Sequence, residues 1–367
     1  MLTAIVFIIV IGVLVLVHEF GHFIMAKRAG MKVEEFGFGF PPRLYSWKKG
    51  ETVYSFNWIP FGGFVKILGE DGDLPAGRQV LGDPRSFASA SFFNRLLVLV
   101  AGVVMNFLLA AVLLMIVNFF GLRIGLIDGE TGSAQNIKVQ IVSVTAGSPA
   151  EIAGLRPLDA IKGYKENGVV VPIHTTQDVQ DAVASHLGRS LVLEIESGTG
   201  VVEKTLIPRV NPPEGQGAIG ISLALTGTIV YPWYESIWRG ISDAAFLTIA
   251  TVQGYYSLLK TLFIHGRLIA DVSGPIGIAG LTGQAARVGF NYLLQFVAMI
   301  SINLAVLNII PFPALDGGRV VLLLIEKAKG SPVHKSAENL INIAGFYLLI
   351  ALMLYITYKD IARFFIK

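Results

Sequence analysis

The sequence of 367 residues has no cysteine, which excludes disulfides, thiolate metal sites and thiol nucleophiles. Any metal must therefore be held by His, Asp or Glu. Charge is also scarce: 15% of the residues are Asp, Glu, Lys or Arg, against roughly a quarter in a soluble domain. The 29 basic and 26 acidic residues leave a net charge of +3 with no concentrated Lys/Arg tract, so nucleic acid is not an expected partner. No internal repeat at a fixed period is visible. Hydrophobicity is what the chain has in excess, 53% of residues with a mean hydropathy of +0.63, gathered in long uncharged runs. This composition is that of a membrane protein.

A helix crosses a bilayer with about 20 predominantly apolar residues. Residues 1–26 contain one charge, Glu19, and residues 96–122, 288–315 and 339–358 contain none, which predicts four spans. A fifth apolar stretch, 244–259, is shorter and follows Trp233, Tyr234 and Trp238; it reads as an interfacial or buried helix. The first run has no basic n-region and meets Lys27–Arg28 without a small-residue cleavage pattern, so it is expected to stay in the mature protein as a span. Four spans put 27–95 and 319–338 on one face, and 123–287 with both termini on the other. Lys27, Arg28, Lys32, Arg85, Arg95, Arg319, Lys327, Lys329 and Lys335 on the first outnumber Arg123, Arg287, Lys359, Arg363 and Lys367 on the second, which makes the first face cytoplasmic.

Between the second and third spans lies a soluble-looking block. In residues 139–209, short β-rich runs (Val139–Val144, Ser190–Ile195, Val201–Ile207) alternate with a polar helical stretch, Thr176–His186, on which Asp178 and Asp181 are exposed candidates. Pro208, Pro212, Pro213, Gly215 and Gly217 then read as a linker.

The strongest chemical signal is His18-Glu19-Phe20-Gly21-His22. Positions i and i+4 of a helix share one face, so two imidazoles can reach one ion while Glu19 projects beside them toward a water. A catalytic zinc site takes three protein ligands and keeps one position open, so a further carboxylate or His is required at membrane depth. Asp316 is the candidate, in the segment from Asn308 to Gly318, where Pro311 and Pro313 break the third run and Gly317–Gly318 allow close backbone approach. The same Asp316 could instead cap a following helix, Gly317 to Lys329. Two other functions compete. An intramembrane ion relay for transport expects paired broken helices in related halves, and one proline-broken segment is present. A metal-stabilised scaffold expects a closed fourth ligand, and His174, His186, His265 and His334 lie in the soluble block, after the interfacial helix, or in a loop.

The HExxH in the first run, the Asn-x-x-Pro-x-Pro-x-Leu-Asp-Gly-Gly segment and the soluble block between them resemble the site-2 protease family of intramembrane zinc metalloproteases, in its bacterial regulator-of-sigma-E protease branch. Further matching stretches are Gly37–Phe40, Ile59–Lys66, Asp83–Phe87, Ala101–Gly102 with Asn106–Phe107, and Ser273–Ile276. The resemblance implies a polytopic α-helical membrane protein of four transmembrane helices, with a membrane-associated β element and one inserted PDZ-like α/β domain. The implied layout is 1–28 (first transmembrane helix), 29–92 (cytoplasmic-side membrane-dipping β region), 93–122 (second helix), 123–225 (PDZ-like extracytoplasmic domain), 226–287 (linker with the interfacial helix), 288–325 (third helix with Leu-Asp-Gly-Gly), 326–338 (cytoplasmic loop) and 339–367 (fourth helix).

The family implies Zn2+ as cofactor, His18, His22 and Asp316 as its ligands and Glu19 as general base. Asn106 and Asn308 would contact the substrate backbone or the developing oxyanion, and Val53–Leu68, bent at Pro60, Gly62 and Gly63, would bind substrate by strand addition. Implied partners are transmembrane protein substrates such as an anti-sigma factor or a signal-peptide remnant, membrane lipid, and a peptide at the PDZ-like domain. The implied location is the inner membrane, with the active site toward the cytoplasm. Ala146–Leu155 echo the PDZ pattern, but Leu158 stands where the usual Gly-Asp-x-Ile has its glycine, and Val103 replaces the family's proline after Gly102.

Overall fold

The computed structural model describes residues 2–70, 83–127, 132–198, 200–265, 274–331 and 333–365; Ser273 of the Ser-Gly-Pro-Ile stretch and the basic Lys367 lie outside the described residues. In chain order, α1 (Leu2–Arg28) is followed by β1 (Val33–Lys49), β2 (Thr52–Ile67) and α2 (Phe92–Phe120). Then come β3 (Leu122–Leu126), β4 (Gln135–Val144), α3 (Pro149–Ile152), β5 (Ala160–Glu166), β6 (Val169–Pro172), α4 (Thr176–Ser185), β7 (Leu191–Ser197), β8 (Gly200–Leu206) and β9 (Ile221–Ile229). Five helices follow: α5 (Trp233–His265), α6 (Pro275–Val288), α7 (Phe290–Ile309), α8 (Asp316–Lys329) and α9 (Lys335–Phe365).

Four helices among the described residues are long and apolar enough to cross a membrane: Thr3–Arg28, Phe92–Phe120, Phe290–Ile309 and Ser336–Ala362. They coincide with the four apolar runs, three of them uncharged and the first interrupted only by Glu19. Helix α5 is not one of them, as expected, but it has 33 residues and starts at Trp233, so the stretch 244–259 is the middle of a longer helix. The sequence hid its first turns, because Glu235, Arg239 and Asp243 interrupt the apolar pattern. Glu235 and Arg239 form an i, i+4 ion pair at 2.7 Å that suits an exposed helix. Farther along, the Tyr255 hydroxyl donates to Asn303 Oδ1 of α7 at 2.9 Å.

The chain forms two compact units, Met1–Leu114 with Gly240–Gly277 and Val297–Asp360, and Met115–Arg239 with Ile278–Phe296 and Ile361–Lys367. In the first, β1 and β2 fold back on each other. Gly37 pairs with both Phe64 and Ser55, so the first half of β1 lies between the two halves of β2, and Tyr45–Lys49 pair with the outer side of Thr52–Phe56. Where this sheet meets the helices, a buried apolar cluster joins Ala26 of α1, Val33, Ile67, Phe87, Val98 and Leu99 of α2, and Leu323 of α8. Burying the larger of these side chains contributes about 1.5–3 kcal/mol each, and it gathers the end of α1, the start of α2 and the middle of α8 at one place.

The second unit holds a seven-stranded sheet in the order β3-β9-β4-β5-β7-β8, with β6 on β5. Alternate residues Leu191, Leu193 and Ile195 of β7 are fully buried, with Val139 and Ile141 of β4, the period of two expected for a half-buried strand. The soluble block is larger than 139–209. The Pro/Gly stretch after Leu206 is a loop inside the sheet, because β9 returns between β3 and β4. Helix α4 starts at a capping box in which the Thr175 side chain accepts from Asp178 N and the Asp178 side chain accepts from Thr175 N. The N–H groups of His174 and Thr175 hold the Asp178 carboxyl below its usual range. Asp181 accepts from Gln177 at 2.8 Å, so both acids are engaged locally. Leu158, in the position of the usual glycine, has φ +73°, a left-handed conformation that costs a branched side chain about 1–2 kcal/mol. Strand β3 follows α2 after Gly121 alone and pairs along Leu122–Leu126 with Leu225–Ile229. Its other side is met by α7, where Asn291 donates to Gly121 O and Gln295 to Arg123 O.

Candidate metal centre

Helix α1 presents His18 and His22 one turn apart with their Nε2 atoms 3.2 Å from each other. Asp316 Oδ2 lies 3.1 Å from His18 Nε2 and 3.5 Å from His22 Nε2. The oxygen is buried and, among the described residues, accepts no hydrogen bond, although it is within ion-pair reach of both rings. A buried carboxylate oxygen left so is costly, and two imidazole nitrogens beside it form a donor set of the type that binds a catalytic zinc with one position open. The residues fit the metal. Among the described residues they are the one such group of three or more His, Asp or Glu.

The rings are oriented from α2. His22 Nδ1 lies 2.8 Å from Val98 O; a carbonyl only accepts, so Nδ1 carries the proton and Nε2 keeps its lone pair for a metal. His18 Nδ1 is 3.2 Å from the Asn106 carboxamide. Asn106 is fully buried, its main-chain carbonyl accepts from Ser301 Oγ at 2.8 Å, and its side-chain oxygen has no partner among the described residues. A half-turn of the carboxamide puts that oxygen on Nδ1–H and frees Nε2 of His18 as well. Between these contacts sits Gly102: a Cβ there would fall 2.4 Å from His22 Nε2 and 2.7 Å from His18 Nε2, so α2 lies against the imidazoles only because it carries no side chain at this point.

Asp316 does not cap α8. The N-cap is Leu315, with no side-chain cap bond, and Asp316 is the first helical residue, its carboxylate turned to the histidines. The turn that brings it there is tight. Ala314 has φ +68°, and a Cβ on Gly317 would lie 2.3 Å from Ile309 O and Ile310 O, one on Gly318 2.3 Å from Phe312 O. The two glycines thus let the proline-broken end of α7 fold directly onto α8. Asn308 stands half-buried at that end of α7.

Glu19 has His22, His18 and Asp316 as its nearest titratable neighbours and accepts from Val65 N–H of β2. The position of a Cβ on Gly63 is 3.7 Å from Glu19 Cγ, and that of Gly62, where φ is +97°, is 3.4 Å from Val15 Cγ1. The bent part of β2 therefore lies along α1 beside the HExxH turn. The structure brings His18, Glu19, His22, Asp316, Asn106 and Gly63 together. His174 and His334 are exposed, and His186 bonds Ala182 O of its own helix. Sequence reasoning missed Val98, whose main-chain carbonyl leaves no trace in residue type, and Ser301, an ordinary small polar residue in a span.

Comparison with known proteins agrees. The model of peptidase family M50 matches residues 6–352. A Clostridium perfringens protein that carries a zinc-metalloprotease name is 38% identical over 349 residues, 95% of each chain. Zinc metalloprotease RasP of Geobacillus kaustophilus is 30% identical over 437 aligned positions, 98% of each chain. Regulator of sigma-W protease RasP of Bacillus subtilis is 28% identical, covering 99% of each chain. With a family match across nearly the whole sequence, the chain belongs to peptidase family M50, the site-2 proteases, and is a zinc-dependent metalloendopeptidase.

Proposed function

We propose that this enzyme hydrolyses a peptide bond in or near the transmembrane segment of single-span membrane proteins, such as an anti-sigma factor or a signal-peptide remnant, with His18, His22 and Asp316 as zinc ligands and Glu19 as general base. The observation that carries the reading is the meeting of the two Nε2 atoms, on a helix apolar enough to span, with Asp316 Oδ2 at the start of α8, at 3.1 and 3.5 Å. Zinc held there supplies Lewis acidity, polarising the scissile carbonyl and acidifying the attacking water. Glu19 takes the proton of that water and hands it to the leaving amine. Asn106, enclosed behind His18, acts on the tautomer of the ring, whereas Asn308, beside the proline-broken turn, is placed to meet the substrate backbone.

A transmembrane helix satisfies its own carbonyls and must unwind before attack. The bent half of β2, with Gly62 and Gly63 beside Glu19, supports strand addition as the way the unwound segment is held. The block from β3 to β9 is read as a PDZ-like domain that screens substrates by bulk or binds a peptide. The excess of Lys and Arg on 27–95 and 319–338 supports reading those segments as cytoplasmic, the block as outside the inner membrane, and the site as toward the cytoplasmic side. His18 is the seventeenth residue of α1, about 25 Å from its start at 1.5 Å per residue, in accord with that depth.

The test is Glu19→Gln in purified protein with a single-span substrate. Turnover is expected to fall by about 10²–10⁴ with zinc content unchanged; undiminished cleavage would remove Glu19 as the base, and an unchanged metal content in His18→Ala would remove the site.

A further inference from the structure

Helix α2 orients both imidazoles, through Val98 O, Gly102 and Asn106, while the third ligand rides on α8. What sets the distance between these two helices decides whether three ligands meet. Arg95, in the first turn of α2, donates through Nη1 to Glu326 Oε2 at 2.8 Å, with side chains only 23% and 17% exposed. The partners are 231 residues apart in sequence. Glu326 also accepts from Val333 N through its other oxygen, at 3.2 Å. Beside the pair, Lys327 Nζ lies 4.0 Å from the centre of the Phe92 ring, and the Arg95 guanidinium 5.3 Å from that of Phe87. Leu323, between Asp316 and Glu326, is buried in the apolar cluster with Val98 and Leu99 of α2.

We propose that the Arg95–Glu326 ion pair is the positioning clasp of the metal centre, locking α8 onto α2 so that Asp316 reaches the imidazoles that α2 orients. The proposal rests on His18, His22 and Asp316 being the zinc ligands. Ten residues of helix separate Glu326 from Asp316, about 15 Å of a stiff rod, so a slide or rotation at one end is carried to the other. The apolar contact of Leu323 is non-directional and tolerates such a slide. A partly buried ion pair does not, because its strength depends on distance and alignment. Another ion pair of α8, Arg319 with Glu70, ties the helix to the segment after β2.

The experiment uses the full-length protein, stripped with a chelator and reloaded. Zinc affinity is read by competition with a chromophoric chelator, and ligand geometry from the visible absorption of the cobalt(II)-loaded protein. Arg95→Glu and Glu326→Arg are each expected to weaken zinc binding by about 10- to 100-fold, the range for groups that support metal ligands, and to alter the cobalt spectrum. The double exchange restores affinity to within about threefold. Lys138→Glu, which breaks the 2.6 Å pair with Glu196 in the sheet block, leaves both readouts unchanged. Parental affinity and spectrum in the single variants, failure of the double exchange to restore them, or an equal loss in Lys138→Glu would each overturn the clasp. Should the charge reversals fail to fold, Glu326→Gln, nearly the same shape, is expected to weaken zinc severalfold, and parental affinity there also overturns it. His18→Ala separates the two levels: retained zinc in that variant sinks the ligand assignment itself, whereas lost zinc there with normal affinity in the Arg95 and Glu326 variants sinks only the clasp.

Discussion

In the sheet block, Leu191, Leu193, Ile195 and their partners form an apolar interior, and the polar work is done at the edges by turns and caps. The helical unit has an apolar cluster too, but it also buries His18, Asn106 and Ser301, while Ile9, Phe93, Leu108 and Leu354 face outward. The two units also treat glycine in opposite ways. Gly102 stands where any side chain would strike the imidazoles, whereas Leu158 occupies a left-handed turn that glycine would fill without strain. The difference teaches where tolerance lies. An apolar interior can lose a residue and cost only stability, while a polar centre assembled by close helix contact loses its chemistry when one Cβ is added.

Three substitutions break or sharpen this contrast. The largest effect is expected from Gly102→Val: the added carbons must push the rings apart, and displacements near 1 Å cost about 10²-fold in rate. Zinc affinity and cleavage should both collapse while hydrogen exchange in β4 and β7 stays as in the parent; near-normal cleavage would mean that α2 does not crowd the histidines. Leu193→Ala reverses the pattern. It should destabilise the sheet block by about 2–5 kcal/mol, seen as faster hydrogen exchange in β5, β7 and β8, with zinc affinity unaltered, and a loss of metal would erase the distinction between the units. The smallest effect is a gain. Leu158→Gly relieves strain of about 1–2 kcal/mol at a cost of about 0.5–1 kcal/mol in chain entropy, so slower exchange around β4 and β5 is expected, and faster exchange would show that the leucine side chain contributes more than its backbone costs.

Much of the helical unit was legible because charge in a span is so rare. Glu19 and Asp316 stand out against uncharged neighbours, and the i, i+4 spacing of His18 and His22 states its own geometry. The choice between ligand and cap for Asp316 was not legible: Asp-Gly-Gly at a helix start suits both, and only the turn through Ala314, with Leu315 as N-cap, separates them. The residue pattern alone gave the block as 139–209, shorter than the sheet that runs from Leu122 to Ile229, whereas the resemblance put it at 123–225. Leu122–Leu126 is merged with the end of an apolar run, and Ile221–Ile229 alternates small and polar residues (Ser222, Ala224, Thr226, Gly227) behind a Pro/Gly loop that looks like a domain boundary. The resemblance put Asn106 close to the site, but its contact with His18 Nδ1 was not legible, since residue type does not say which side of a ring an amide occupies.

Strand β3 has a neighbour on both sides, β9 on one and the amides of Asn291 and Gln295 on the other. A strand so flanked shields the Leu225–Ile229 edge of β9 from any foreign chain seeking a template there. It also turns the junction after Gly121 from a loose tether into a mortised joint, held by Asn291 and Gln295 as well as by the chain itself.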